Sequence, residues 1–176
     1  LIVTNFHVAS QLALEPERYR GVYVTIDGQE GDVDLLAFDV QHDVAVLRAR
    51  KRTAPAPVLE FRPAAEPLAQ GERIYSLGNP LDIGFAVTEG TYNGLVRRSF
   101  YPRIFFGGTL NPGMSGGPAV DDAGRVLGVN VAKRLDGEQV SFLIPAEFAQ
   151  ALVQRAASAQ PITQPAHQEV ARQLLV

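Results

Sequence analysis

The sequence predicts an all-β fold, a barrel or sandwich of short strands finished by one C-terminal helix. Three observations carry this. Short β-branched or aromatic runs recur at close spacing as far as Ile144, turn residues rich in glycine, aspartate and asparagine separate them, and helical periodicity begins only at Pro145. No unit recurs at a fixed period, which excludes a solenoid.

The elements follow in order. Leu1-Ile2-Val3-Thr4-Asn5-Phe6-His7-Val8 is apolar and β-branched and predicts a buried strand running into a short turn or helical piece at His7 to Ser10. Gln11 to Gly21 predicts a surface loop. Val22 to Ile26 and Val33 to Phe38 predict a hairpin about the Asp27-Gly28 turn, and Val44 to Leu47 a further buried strand. From Lys51 to Glu72, four prolines and alanine-rich spacers predict a connector between two halves. Ile74 to Leu77, the pair Phe85–Thr88 and Gly94–Val96, Ile104 to Phe106, Pro118 to Val120, Arg125 to Val131 and Val140 to Ile144 predict the strands of the second half, with turns at Asp121–Gly124 and Asp136-Gly137. Phe148, Ala149, Leu152, Val153 and Ala156 form an apolar stripe, so 145–158 predicts an amphipathic helix docked on the β core. In the tail, 159–176, the weaker stripe Val170, Ala171, Leu174 and Leu175 fits a docking helix or the start of a further domain. The chain opens on Leu1 inside a strand-like run, so its native beginning is expected to lie upstream.

Composition narrows the function. The chain has 176 residues, 46% hydrophobic and 20% charged, with a formal net charge of −3, which offers no general attraction for nucleic acid. The basic run Arg48 to Arg52 reads as the solvent side of a strand exit. Without cysteine there is no disulfide, thiolate metal site or cysteine nucleophile, and three scattered histidines make no metal cluster, so no metal or other cofactor is expected. No apolar run is long enough to span a bilayer.

Asn111-Pro112-Gly113-Met114-Ser115-Gly116-Gly117-Pro118 fits neither a helix interior nor a regular strand. A tight turn there can hold a hydroxyl outward and aim successive N–H groups into one cavity, as oxyanion stabilisation requires. Ser115 is the candidate nucleophile; taken alone, the same run also fits a glycine-rich surface loop. A serine nucleophile needs a base and a group that orients the base, and His7 at a strand exit and Asp43 at a strand entrance supply them in the chain order His, Asp, Ser. Gly113 to Gly117 also satisfies the G-x-S-x-G elbow. Glycine and proline after Ser115 oppose the helix that motif needs, and only His167 lies in its required position.

Thr4-Asn5-Phe6-His7-Val8, His42-Asp43-Val44-Ala45-Val46-Leu47 and Gly113 to Pro118 resemble, in order, the three catalytic segments of trypsin-like serine proteases. Ser76-Leu77-Gly78-Asn79-Pro80, Val87-Thr88-Glu89-Gly90, Leu110 to Gly113, Val126 to Asn130 and Phe142 to Pro145 resemble the HtrA (Deg) branch, and the likeness extends over residues 1 to about 155. The resemblance implies two six-stranded β-barrels of the chymotrypsin type, residues 1–52 and 73–144, joined by the connector at 53–72, with the helix at 145–158 completing the protease domain. It also implies that the first barrel lacks its two N-terminal strands in this chain. On the same resemblance His7 is general base, Asp43 holds its tautomer, Ser115 attacks, and the N–H groups of Gly113 and Ser115 form the oxyanion hole. Val129, Asn130, Val131 and Ala132 pair with an extended polypeptide substrate, and Thr109 lines the specificity pocket, favouring small or medium apolar side chains. A periplasmic or otherwise extracytoplasmic location is implied; self-association into a homo-oligomer stays open. Met114 departs from the family's usual Asn or Asp before the nucleophile and is expected to alter how the oxyanion loop is held. The alternative function is a protease-fold peptide-binding or chaperone module with little or no turnover.

Overall fold

A computed structural model describes residues 1–51, 57–96, 98–135 and 138–175. Arg52, the first part of the predicted connector and the Asp136-Gly137 turn lie outside the described residues. The chain divides into two compact units, Leu1–Pro57 with Ala151–Val176, and Val58–Gln150.

The first unit holds β1 (Ile2–Thr4), α1 (Phe6–Leu14), β2 (Gly21–Val24), β3 (Glu30–Asp39) and β4 (Val44–Ala49). Its strands form one antiparallel sheet in the order β1-β4-β3-β2. Among the described residues that is four strands, in line with a first barrel that lacks its two N-terminal strands in this chain. Val44 to Leu47 are buried, as a continuous apolar run at the centre of a covered sheet should be. Phe6, Ala9 and Ala13 of α1 pack with Val33, Leu35, Phe38, Ala45 and Leu47, and the Phe6 and Phe38 rings lie 5.1 Å apart.

Helix α1 runs through residues expected to be loop. Ala9 and Ala13 stand four apart on the buried face, and the alanines and leucines here have high helix propensity, so the helix continues until Pro16 forbids it. β2 stops at Val24 because Thr25 turns the chain, its hydroxyl accepting the Gln29 N–H at 2.9 Å.

The second unit holds β5 (Arg73–Gly78), β6 (Ala86–Leu95), β7 (Ile104–Phe106), β8 (Pro118–Val120), β9 (Val126–Leu135) and β10 (Glu138–Pro145), closed into a six-stranded barrel in the order β10-β7-β6-β5-β8-β9. Ile74, Ile104, Phe106, Leu110, Met114, Ala119, Leu127 and Leu143 make its core. The segments expected as a pair around residues 85–96 are one strand, β6; Gly94, at φ +90°, takes up a register shift between Tyr92 and Leu95 instead of reversing the chain. The later part of the predicted connector belongs to this unit. Phe61 bridges Val126, and the Arg62 guanidinium binds the carboxylate of Glu72.

Helix α2 (Ala146–Ala156) follows β10, and the boundary between the units falls within it. The tail forms α3 (His167–Leu174), a docking helix: Val170, with Ile162 and Ala166 ahead of it, packs against the core of the first unit.

Candidate active site

In the first unit His7 lies in the opening turn of α1, after the N-cap Asn5. Its backbone N–H is one of those a helix leaves without an internal partner, and Asp43 Oδ1 accepts it at 2.8 Å. Asp43 Oδ2 lies 2.7 Å from His7 Nδ1. One carboxylate thus caps the helix and holds the ring that projects from it. With the carboxylate ionised and the ring neutral, Nδ1 donates to Asp43 and Nε2 keeps its lone pair. A negative charge is also favoured at a helix N-terminus.

Asp43 reaches this position from a left-handed backbone, φ +57°, a conformation aspartate tolerates better than most side chains. Its carbonyl accepts the Asn5 side-chain N–H at 3.0 Å, and Asn5 is fully buried. Sequence reasoning passed over Asn5; the signal was an amide inside an otherwise apolar run. It also passed over a second pair with the same pattern, in which Asp39 accepts the His42 N–H at 3.0 Å and lies 2.7 Å from His42 Nδ1.

In the second unit the turn at 112–117 carries Ser115 into line with β9. Gly117 and Asn130 exchange one bond of this continued ladder, Asn130 N–H to Gly117 C=O at 2.9 Å, and Gly116 N–H donates to Asn130 C=O at 3.0 Å. One step on, the Ser115 hydroxyl takes the place of a backbone group: it accepts the Ala132 N–H at 3.1 Å and donates to the Ala132 C=O at 3.3 Å.

Gly113 has φ +94°, and a Cβ there would collide with the carbonyl oxygen of Asn79. The Pro112 carbonyl accepts the Leu81 N–H at 2.8 Å, and because the peptide is planar and trans this turns the Gly113 N–H the opposite way. Among the described residues neither the Gly113 nor the Ser115 N–H donates a hydrogen bond. Met114 is 1% exposed and roots the turn in the barrel core, beside Gly78, where a Cβ would come within 2.8 Å of Met114 Cα. Its side chain therefore points into the barrel core.

The segment expected to pair with a peptide is largely occupied. Val129 and Val131 are buried, the Asn130 backbone is bonded to Gly116 and Gly117, and the Asn130 amide donates to Leu77 C=O at 3.0 Å. Only Ala132 turns its N–H and C=O towards Ser115. Thr109 is exposed, next to Leu110, whose N–H donates to Ser141 Oγ at 2.8 Å. The structure thus brings His7 together with Asp43 in one unit, and Gly113, Ser115, Asn130 and Ala132 together in the other.

No group of three or more His, Asp or Glu side chains converges as a metal site among the described residues, and no helix there is long and apolar enough to cross a membrane.

Residues 1–129 match the family described as the trypsin-like peptidase domain. HhoB of Synechocystis sp., which carries a serine protease name, is 34% identical over 158 residues, covering 85% of this chain and 36% of its own. A chain of Halomonas elongata named as a probable periplasmic serine endoprotease, DegP-like, is 31% identical over 156 residues, covering 84% of this chain and 31% of its own. The solved HtrA-type protease AlgW with a decapeptide superposes with a TM-score of 0.73 at 26% identity, over 88% of this chain and 47% of AlgW. This chain therefore spans about a third of the length of those two curated relatives.

Proposed function

This chain belongs to the trypsin-like peptidase family, in its HtrA/Deg branch, and on that footing we propose that it is the catalytic part of a serine endopeptidase that cleaves extended or unfolded polypeptide. The observation that carries the reading is the two-point grip of Asp43 on His7, which leaves Nε2 as the base. Ser115 Oγ gives its proton to His7 Nε2 and attacks the scissile carbonyl carbon. The tetrahedral oxyanion accepts the N–H groups of Gly113 and Ser115, which have no other described partner. Collapse of the intermediate breaks the C–N bond as the imidazolium protonates the leaving amine, and an acyl-enzyme remains on Ser115. Water, deprotonated by the same imidazole, then releases the acid and restores the hydroxyl.

The substrate lies extended along β9 and meets it at Ala132, whose two backbone groups the Ser115 hydroxyl occupies in the free protein. Thr109, uncharged and exposed, serves a pocket for small or medium apolar side chains. The location is extracytoplasmic, as in the relative named periplasmic.

The test is digestion of an unfolded protein by the full-length chain, with the cleavage sites mapped by mass spectrometry. Wild type is expected to cut after small or medium apolar residues, and Ser115→Ala not at all. Equal digestion by both, or peptide binding without any cleavage, contradicts the peptidase; the second outcome favours the binding module.

A further inference from the structure

The segment beyond α2 returns across the first unit and touches each piece of chain that holds the His7–Asp43 pair. Ile162 N–H donates to Leu35 C=O of β3 at 2.8 Å, and Ala166 N–H to Ala13 C=O near the end of α1, also at 2.8 Å. From α3, Gln173 reaches the β3–β4 turn. Its Oε1 accepts the Val40 N–H at 2.7 Å, its Nε2 donates to Phe38 C=O at 3.2 Å, and its own carbonyl accepts Gln41 Nε2 at 2.7 Å.

That turn leads directly into Asp43. The Asp39 carboxylate ties His42 across it, and Asp43 follows in a left-handed backbone. A turn ending in such a conformation persists only where its surroundings over-determine it. Gln173 bonds two backbone groups, Phe38 C=O at the end of β3 and Val40 N–H in the turn, and Glu169 in turn accepts Gln173 Nε2 at 2.9 Å. The apolar side of the segment is anchored, because Ile162, Ala166 and Val170 pack on the core, while Leu174 faces out.

We infer that the C-terminal segment 160–175 is a strap that positions the His–Asp pair, and that Gln173 is the positioning residue that holds the Asp43 turn. The inference rests on the proposed triad for its link to turnover. Misplacing an orienting carboxylate by about 1 Å is enough to cost turnover severely, even when substrate binding is untouched.

The test compares wild type, Gln173→Met, Gln173→Glu and Leu174→Ala in the full-length protein. Gln173→Met keeps the length and helix propensity of the side chain but loses the carboxamide. It is expected to lower kcat about tenfold with KM unchanged, to speed hydrogen exchange at the Val40 and His42 amides, and to broaden the low-field Nδ1 proton resonance of His7. Gln173→Glu keeps an acceptor for Val40 N–H but sets a carboxylate oxygen against Phe38 C=O and Glu169, so it is expected to lose at least as much as Gln173→Met, whereas Leu174→Ala behaves as wild type. The strap is overturned if Gln173→Met exchanges and turns over as wild type does, or if Leu174→Ala loses as much. Should Gln173→Met not fold, Gln41→Ala, which breaks the contact from the turn side, decides by the same readouts. A wild type that cleaves nothing sinks the peptidase reading alone, since the exchange and proton readouts still decide the strap.

Discussion

The hydroxyl of Ser115 is bound twice by Ala132, accepting its N–H at 3.1 Å and donating to its C=O at 3.3 Å. The proposed nucleophile and the proposed start of the peptide-pairing edge therefore compete for the same two backbone groups. On the proposed mechanism, a peptide that docks at Ala132 would free the hydroxyl proton for transfer, coupling substrate binding to nucleophile activation.

The coupling separates binding from turnover. Ser115→Ala removes the competitor, so peptide affinity should equal or exceed that of wild type while turnover falls by about 10⁴-fold or more. Anisotropy of a labelled apolar peptide, titrated with both proteins, measures this. Weaker binding by Ser115→Ala would show that the hydroxyl contributes to the peptide site instead.

The two His–Asp pairs are equal in pattern but not in proposed role. Asp43→Asn keeps an acceptor for the His7 N–H but lets the wrong imidazole tautomer form, so kcat should fall by about 10⁴-fold with helix content unchanged. His42→Ala should cost far less than His7→Ala. Steady-state kinetics of the three variants, with circular dichroism as the folding check, tests the assignment; equal losses in the two histidine variants would undo it.

Gly113 and Gly71 share a positive φ, +94° and +84°, but differ in what surrounds them. Nothing lies within 4 Å of a Cβ at Gly71, whereas one at Gly113 strikes the Asn79 carbonyl. Gly71→Ala should therefore lose only stability, of order 1 kcal/mol from backbone strain. Gly113→Ala should also displace the oxyanion peptide and lower kcat by about 10²- to 10³-fold. Denaturation midpoints paired with kcat for each variant distinguish the two costs.

The strap has an acid limit. The Arg172 guanidinium, and then Gln173, hold the Glu169 carboxyl down from 4.5 to about 2. A depressed acid contributes stability that is complete above its unfolded value and lost as pH falls through its folded value. Arg172 and Gln173 lie on α3 with Glu169, so it is the helical form of α3 that should weaken between about pH 4.5 and 2, and not between pH 6 and 8. Glu169 is partly exposed, so the effect is small and screened by salt. Exchange at the Val40 amide against pH reads it directly, with Glu169→Gln expected to abolish the dependence.

The barrel strands, the terminal helix and the three motif segments were legible in the sequence because each writes a local signal: β-branched runs, a 3.6-residue stripe, a serine among glycines. Asn5 and Gln173 were not. Their roles come from reaching backbone groups on distant chain, Asp43 C=O for one and Val40 N–H for the other, and an amide carries no local mark of such a partner. The helical stretch after Ser10 was misread for a related reason. Glu15 and Pro16 dominate that window, while the burial of Ala9 and Ala13 that sustains α1 depends on β3 and β4. The pairing role of Val129 to Ala132 is what the family resemblance implies, and no local signal in the sequence marks the bonds that Gly116 and Gly117 make to the Asn130 backbone.

On the proposed mechanism Ser115 is made nucleophilic by the His7–Asp43 pair. Reaction of the folded full-length protein with a fluorophosphonate, followed by peptide mapping, measures that reactivity without needing a known substrate. The prediction is one adduct, on Ser115, lost in Ser115→Ala and strongly slowed in His7→Ala and Asp43→Asn. An adduct rate unchanged in His7→Ala, or no adduct on Ser115 in folded wild type, would contradict it.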